Sequence, residues 1–322
     1  MDMKEAMDFD KSLFTPLTDE EKKVPAIVRP SVGYWSDAWR RLKSNKVALI
    51  SLIVLIIIII LALVVPDLWR VKGLGMFKFD QTDLSIVNQK PSGAHMFGTD
   101  ALGRDLLVRV MYGARYSLII GFAAAIINLV IGVVYGGIAG FFGGKVDNIM
   151  MRIIDILYSI PTIIYVVIIM AMLYDPDKAT GGLGPIIMAL AISYWIGMAR
   201  IVRGEVLQLK EQEFVLAARS LGASKLRILF KHLIPNCLGS IIVTMTLLIP
   251  QAIFTEAFLS FIGLGLNPPL ASLGTLANEA MQSIYVYPYQ LLFPSAVICI
   301  IILGFNLLGD GLTEALDPKN KR

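Results

Sequence analysis

One stretch restricts the fold more than any other. Residues 47–65 read VALISLIVLIIIIILALVV: 16 of the 19 are Leu, Ile or Val, and none is charged. As a helix the run is about 28 Å long, enough to cross the hydrocarbon core of a bilayer. Each such side chain favours insertion by roughly 0.3–0.6 kcal/mol, so the whole run inserts with about 5–10 kcal/mol in its favour. Trp35 and Trp39 precede it, together with Arg40, Arg41, Lys43 and Lys46. Basic residues hold that end in the cytoplasm, and tryptophans suit the membrane interface. With no charge of its own, the run reads as an anchor and not as part of a route.

Five more apolar runs follow, at about 117–140, 153–173, 185–202, 238–262 and 291–308. The chain of 322 residues is 56% hydrophobic and 17% charged. That balance places it among integral membrane proteins. The expectation is an all-α fold of six transmembrane helices with both termini in the cytoplasm. Residues 200–236 carry Arg200, Arg203, Lys210, Arg219, Lys225, Arg227 and Lys231, whereas residues 263–290 carry no Lys or Arg. Both agree with the positive-inside rule. The first outside connection opposes it, with Arg70, Lys72, Lys78, Lys90, Arg104, Arg109 and Arg115. Long segments translocate despite such charge, so the topology stands.

Several classes of function are disfavoured. A net charge of +4 points to no nucleic-acid partner. Asp2, Lys4, Glu5, Asp8 and Asp10 break any early apolar core, so the polar segment 1–32 reads as a cytoplasmic tail and not a signal peptide. Two cysteines, Cys237 and Cys299, make no disulfide framework, and two histidines, His95 and His232, are too few for a histidine-based metal site. The nearest approach to a phosphate-binding loop, Gly143-Gly144-Lys145, has Val146 where Ser or Thr is needed and Ala139 where the first glycine belongs. No His-Glu-x-x-His or Gly-x-Ser-x-Gly occurs. Catalytic, cofactor-binding and metal residues are therefore expected to be absent, and a pump built on this chain must receive its energy from another subunit.

Four polar or small-residue features interrupt the membrane-like pattern. The first is 213–236, read as two short amphipathic helices. Phe214, Ala217, Ala218 and Leu221 recur at helical spacing and predict one apolar face. Gly222 can end that helix in a left-handed conformation, and Ser224 can cap the next. There Leu226, Leu229, Phe230 and Leu233 predict the apolar face, with Lys225, Arg227 and Lys231 pointing elsewhere; Pro235 precedes the next span. The element is too short to cross a membrane, yet its apolar face needs a partner. The second is His95-Met96-Phe97-Gly98-Thr99-Asp100-Ala101-Leu102-Gly103-Arg104-Asp105, a tight-turn segment, readable as a packed loop or as a substrate contact; His95 and Asp100 lack a further ligand at metal spacing. Leu106, Leu107, Val110 and Met111 suggest a short interfacial helix after it. The third is Gly132, Gly136, Gly140 and Gly144, every fourth residue, a face that admits another helix closely. The fourth is the pair of acids Glu256 and Asp155 within or beside spans. Glu256 either faces the bundle interior, held by Thr255, Ser260 or a neighbouring chain, or lines a path; Asp155 reads as packing, pathway or interface.

Several of these stretches resemble one family. Ala217-Ala218, Gly222 and Leu233-Ile234-Pro235 resemble the cytoplasmic coupling loop of ABC importer permeases, although Leu216 stands where that motif has Glu and His232 where it has Ile. The form Phe-Val-x-Ala-Ala-Arg-x-x-Gly-Ala-Ser at 214–224 looks like the peptide and nickel branch. Residues 95–105 resemble the signature of the C-type subunit of dipeptide and oligopeptide permeases. Residues 256–265, the Pro268-Pro269 pair, Asn306-Leu307-Leu308-Gly309-Asp310 and Leu316-Asp317-Pro318 fit the same family, so the match runs from Trp35 to Pro318.

The resemblance implies a type I ABC importer permease fold with a cytoplasmic coupling-helix loop. It divides the chain into a tail (1–34), a segment with the first span (35–85), an extracytoplasmic loop (86–114), a permease domain (115–309, coupling loop 203–236) and a tail (310–322). It implies import of peptides through a bacterial cell membrane. Partners would be a B-type permease, two cytoplasmic ATPases that hold Mg-ATP, an extracytoplasmic solute-binding protein and the lipid bilayer. Phe214, Ala217, Ala218, Arg219, Gly222, Ala223, Ser224 and Pro235 would couple to the ATPases. Alternatives are nickel or another solute, such as murein peptides or opines; a non-transporting scaffold; and an intramembrane aspartyl protease using Asp155 and Asp310, against which the Leu-Leu-Gly before Asp310 argues.

Overall fold

A computed structural model describes residues 33–68, 79–173 and 182–316. The expected N-terminal tail, Arg70, Lys72, Lys78 and the motif residues Asp317 and Pro318 lie outside the described residues. The chain divides into units 1–37 and 38–322. Helix α1 (Tyr34–Ser44) begins in the first and ends in the second; everything below concerns the second.

Among the described residues the architecture is helical, with one isolated antiparallel bridge, Thr99 to Asp105. The long helices are α2 (Lys46–Leu68), α3 (Leu106–Phe142), α6 (Leu183–Leu209), α10 (Leu238–Leu259) and α12 (Tyr289–Leu316). These five, α10 being prolonged by a π-helical turn at Ser260–Leu264, are long and apolar enough to cross a membrane. A sixth crossing exists if α4 (Gly144–Ser159) and α5 (Thr162–Leu173) count as one span.

That pair departs from the continuous helix predicted for 153–173. It bends by 86° at Ile160-Pro161. Proline lacks an N–H and disfavours helical backbone in the residue before it, and Ile160 is accordingly extended (φ −88°, ψ 127°). The second span differs in the other direction. No separate interfacial helix precedes it; α3 is one helix of 37 residues, about 55 Å long. Its start is set by Asp105, whose carboxylate accepts the Val108 N–H at 3.0 Å. The last span also overruns its predicted end, since α12 continues to Leu316 through part of the expected tail.

Helix α3 is the axis of the core. It packs against α6 along its C-terminal part, and against α10 and α2 elsewhere; α12 closes against α10 and α2. Gly132, Gly136 and Gly140 make the α3–α6 contact. A Cβ on Gly132 would lie 2.5 Å from the Met198 Cβ, one on Gly140 2.8 Å from the Arg203 carbonyl oxygen, and one on Gly136 would overlap the backbone of Ala199. The small-residue face is thus a backbone-close helix contact. Gly144 does not continue it: α3 stops at Phe142, and Gly143 and Gly144 turn the chain with positive φ. Lys210 donates to the Gly140 carbonyl at 3.1 Å, placing a cation on the open end of α3.

Candidate functional site: the coupling element and the two polar clusters

The element at 213–236 folds as α7 (Glu213–Ser220), α8 (Lys225–Arg227), a π-helical stretch (Ile228–Leu233) and α9 (Ile234–Asn236). Gly222 ends α7 as predicted, with φ +79°. The Ala223 N–H donates to the Ala218 carbonyl and the Gly222 N–H to the Arg219 carbonyl, so both bonds of a Schellman turn are present. Ser224 caps α8 through the Arg227 N–H at 3.4 Å. Pro235 removes a donor and crowds the carbonyl four residues earlier. The wider turn before it, with the Ile234 N–H bonded to the Leu229 carbonyl, absorbs that misfit.

The apolar faces differ from those predicted. On α7 the buried residues are Val215 and Ala218, three apart, and they turn in against the cluster that includes Ile228, Leu229 and Leu233. Phe214, Ala217 and Leu221 lie on the neighbouring strip, which this chain leaves uncovered; Leu221 is 88% exposed. Periodicity gave no sign that Val215 points inward, because an eight-residue helix is too short for four apolar positions to define a direction. On the second arm Leu229 and Leu233 are buried, and so is Ile228, whereas Leu226 and Phe230 are exposed. The π-helical winding shifts the facing by part of a turn, which a strict 3.6-residue period does not anticipate. Arg219 is exposed and Ala223 half-buried; with Phe141, Phe142, Lys225 and Ile228 they line an open groove of about 470 Å³ that joins the element to the end of α3.

Cys237, just before α10, is buried, and that burial, with the nearby Glu205 charge, pushes its thiol up to about 12. The end of α6 is tied to α4 by two ion pairs. Arg203 grips Asp147 with two nitrogens, at 2.5 and 2.6 Å, and Arg200 holds Asp155 at 2.9 Å while covering the Tyr158 ring. Asp155 is exposed and salt-bridged to Arg200. The Asp147–Arg203 pair had no sequence signal, since 56 residues separate its members.

At the other end of α3 the segment 95–105 is a hydrogen-bonded plug. His95 Nδ1 lies 2.9 Å from Asp105 Oδ2, both buried. Asp100 accepts from Arg104 at 2.6 Å and from Arg109 at 2.7 Å, and Arg109 also reaches Glu279 at 2.7 Å. Glu279 stands on α11 (Leu273–Met281), so the cluster fastens α11 to the start of α3. Tyr289 and Gln290 of α12 bond to the carbonyls of Gln89 and Thr99. Arg115 bonds to Asp67 and the Ala62 carbonyl at the end of α2. Three of the seven basic residues in this connection, Arg104, Arg109 and Arg115, are thereby ion-paired with acids. Among the described residues no three His, Cys, Asp or Glu side chains come together as a metal site.

Glu256 is 0% exposed. Ser260 donates to one carboxyl oxygen at 2.7 Å and Ser117 of α3 to the other at 2.9 Å. The same Ser117 oxygen accepts the Leu273 N–H at the start of α11, and Ser272, the N-cap of α11, donates to Ser260. Thr255 takes no part; its hydroxyl pairs with Tyr194. Glu256 thus joins α10, α3 and α11 in one buried polar cluster.

Comparison with known proteins follows the geometry. The family model for the binding-protein-dependent transport system inner membrane component matches residues 129–322, and that for the N-terminal TM domain of oligopeptide transport permease C matches residues 33–91. The oligopeptide transport system permease protein OppC of Bacillus subtilis (strain 168) is 48% identical over 312 residues, covering 97% of this chain and 98% of that protein. The dipeptide transport system permease protein DppC of the same organism is 46% identical, covering 94% and 92%. OppC of Escherichia coli (strain K12) is 42% identical, covering 89% and 92%. In fold, the chain is similar to one in a solved structure of inward facing conformations of the MetNI methionine ABC transporter, at TM-score 0.51 and 19% identity over 65% of this chain and 96% of that one.

Proposed function

The chain belongs to the binding-protein-dependent transport system inner membrane component family, and from that premise we propose that it is the C-type permease subunit of an ATP-driven importer of peptides. It is a multi-pass membrane protein with a type I ABC importer permease fold. In the proposed assembly it pairs with a second, B-type permease, and the route for the peptide runs between the two. Two cytoplasmic ATPases hold Mg-ATP and hydrolyse it; this chain supplies no catalytic group. A solute-binding protein delivers the peptide from outside, and both termini of this chain lie in the cytoplasm.

The observation that carries the reading is the uncovered strip Phe214–Ala217–Leu221 on a helix whose opposite edge, Val215 and Ala218, is locked into the chain's own core. A short helix held rigidly from behind, with apolar and small residues facing outward, is a lever. An ATPase surface seated on Ala217 can approach closely, and Phe214 and Leu221 add apolar area to the contact. Closure of the ATPases then moves α7. The π-helical stretch, α10 and the end of α3 follow, because they share one packed cluster. This is a rigid-body switch between two packed arrangements. The two relatives' names, oligopeptide and dipeptide, support peptides as the cargo.

The test is uptake by proteoliposomes that contain the chain with its partner permease, ATPases and binding protein. ATP-dependent accumulation of a labelled tripeptide, competed by unlabelled di- and oligopeptides, is the expected result. Uptake of labelled nickel in place of peptide would overturn the substrate class while leaving the transporter; no ATP-dependent uptake of either would overturn both.

A further inference from the structure

After Glu213 no acid occurs until Glu256, yet four cations fall within 219–231: Arg219, Lys225, Arg227 and Lys231. All four are exposed, and among the described residues none of them has an ion-pair partner. The basic residues just before the element are treated differently. Arg200 and Arg203 are paired with Asp155 and Asp147, and Lys210 bonds to the Gly140 carbonyl. The positive-inside rule accounts for basic residues in a cytoplasmic loop, but not for where on the loop they stand.

They stand around two grooves that meet at Ala223. One, of about 280 Å³, is lined by Leu221, Gly222, Arg227, Lys231 and the half-buried His232. The other is the groove of about 470 Å³ at the end of α3, whose cations are Arg219 and Lys225. Each holds two cations and no acid. Like charges about one helical turn apart repel, so Arg227 and Lys231 raise the energy of the chain alone, and an entering anion relieves it. Leu221, the end of the uncovered strip, is a wall of the first groove, so cations and strip form one surface. Resting on the coupling reading, we infer that the ATPase surface seated here is acidic, with carboxylates that enter both grooves and pair with Arg227 and Lys231 in one and with Arg219 and Lys225 in the other. A layer of lipid headgroups meets cations along a plane; two concave grooves on either side of a turn are filled by projecting side chains. The charges then add specificity. An ATPase with neutral or basic residues at these points is disfavoured, although the apolar strip alone would accept it.

The experiment measures the affinity of the ATPases for the complex of tagged chain and partner permease between about 0.1 and 1 M NaCl, where the screening length falls from about 10 to about 3 Å. Wild-type affinity should fall at least about tenfold over that range. Arg227→Glu with Lys231→Glu, and separately Arg219→Glu with Lys225→Glu, should each lose at least about tenfold at the lower salt while keeping the partner permease at wild-type ratio. Wild-type affinity that ignores salt, or undiminished affinity in either reversed pair, overturns the inference. Should a reversed pair fail to assemble with the partner permease, Arg227→Gln with Lys231→Gln is judged by its salt dependence, which should be flatter than wild type; an unchanged slope overturns the inference. Unchanged ATPase affinity in variants that no longer gain thermal stability from added phosphatidylglycerol would assign the cations to an anionic lipid and overturn it likewise. Leu221→Asp reads the coupling site separately. ATPases retained in that variant count against the coupling reading, whereas ATPases lost there but held by both reversed pairs count against the acidic surface alone.

Discussion

Glu256 and Arg109 are the two charged side chains most deeply enclosed at the α11 end of the bundle, and each is tied to partners far away in sequence. Glu256→Gln keeps an acceptor for one serine and places an amide donor against the other, so assembly with the partner permease should stay near wild type. Glu256→Leu leaves the Ser117 and Ser260 hydroxyls without their acceptor, at about 1–3 kcal/mol. The yield of purified complex and its thermal midpoint should both fall. Equal behaviour of the two variants would remove Glu256 from the packing of α11. Arg109→Ala removes one of the two arginines that hold Asp100 and Glu279, while Arg104 still reaches both acids; a lowered thermal midpoint of the complex is the check. Sequence made Glu256 visible as a charge inside an apolar run. Its partners were half legible: Ser260 lies one turn away, but Ser117 is 139 residues distant, and Thr255, equally near, bonds elsewhere.

At the scale of the element, the glycine strip of α3 yields a paired prediction. Gly136 and Gly137 are neighbours, but a Cβ on Gly136 would overlap the Ala199 backbone, whereas one on Gly137 would rest 3.5 Å from Leu229, an ordinary contact. Gly136→Ala should separate α3 from α6 and lower the yield of folded chain, while Gly137→Ala should be tolerated. Indistinguishable yields would mean that α6 moves aside freely. In the coupling element, Gly222→Pro forces φ from +79° to about −65° and deletes the N–H that bonds Arg219. Loss of peptide uptake with membrane insertion intact is the expected outcome, read by transport and by membrane content. The four-residue spacing of the glycines marked a face that another helix approaches closely, but only the structure shows that the helix is α6. The facing of α7 was not legible. Its inward edge depends on Val215 meeting the stretch Ile228–Leu233, a tertiary contact, and on a π-helical winding imposed by Pro235. The bend between α4 and α5 did have a local signal in Pro161, but proline in a membrane helix can also be tolerated as a kink, and the neighbouring packing decides which occurs.

Across the whole molecule, α3 links two working ends. One end holds the cluster of Asp100, Arg109, Glu279 and Glu256 against α11; the other meets α6, Lys210 and the coupling element. The order of apolar runs made five of the spans legible, since each run had to leave water; the sixth exists only if the bent pair α4 and α5 is one crossing. What composition could not supply was the pairing of helices, which depends on where glycines let backbones approach. The central claim is that the strip Phe214–Ala217–Leu221 seats an ATPase while the strip behind it holds the element in the chain's core. The most direct measurement is the stoichiometry of subunits that co-purify with a tagged chain carrying Leu221→Asp, compared with wild type. Leu221 is 88% exposed and its loss should not disturb the fold. The account predicts that the partner permease is retained at wild-type ratio while the ATPases are lost or sharply reduced, and that peptide uptake falls with them. Full ATPase content together with normal uptake in that variant would contradict it.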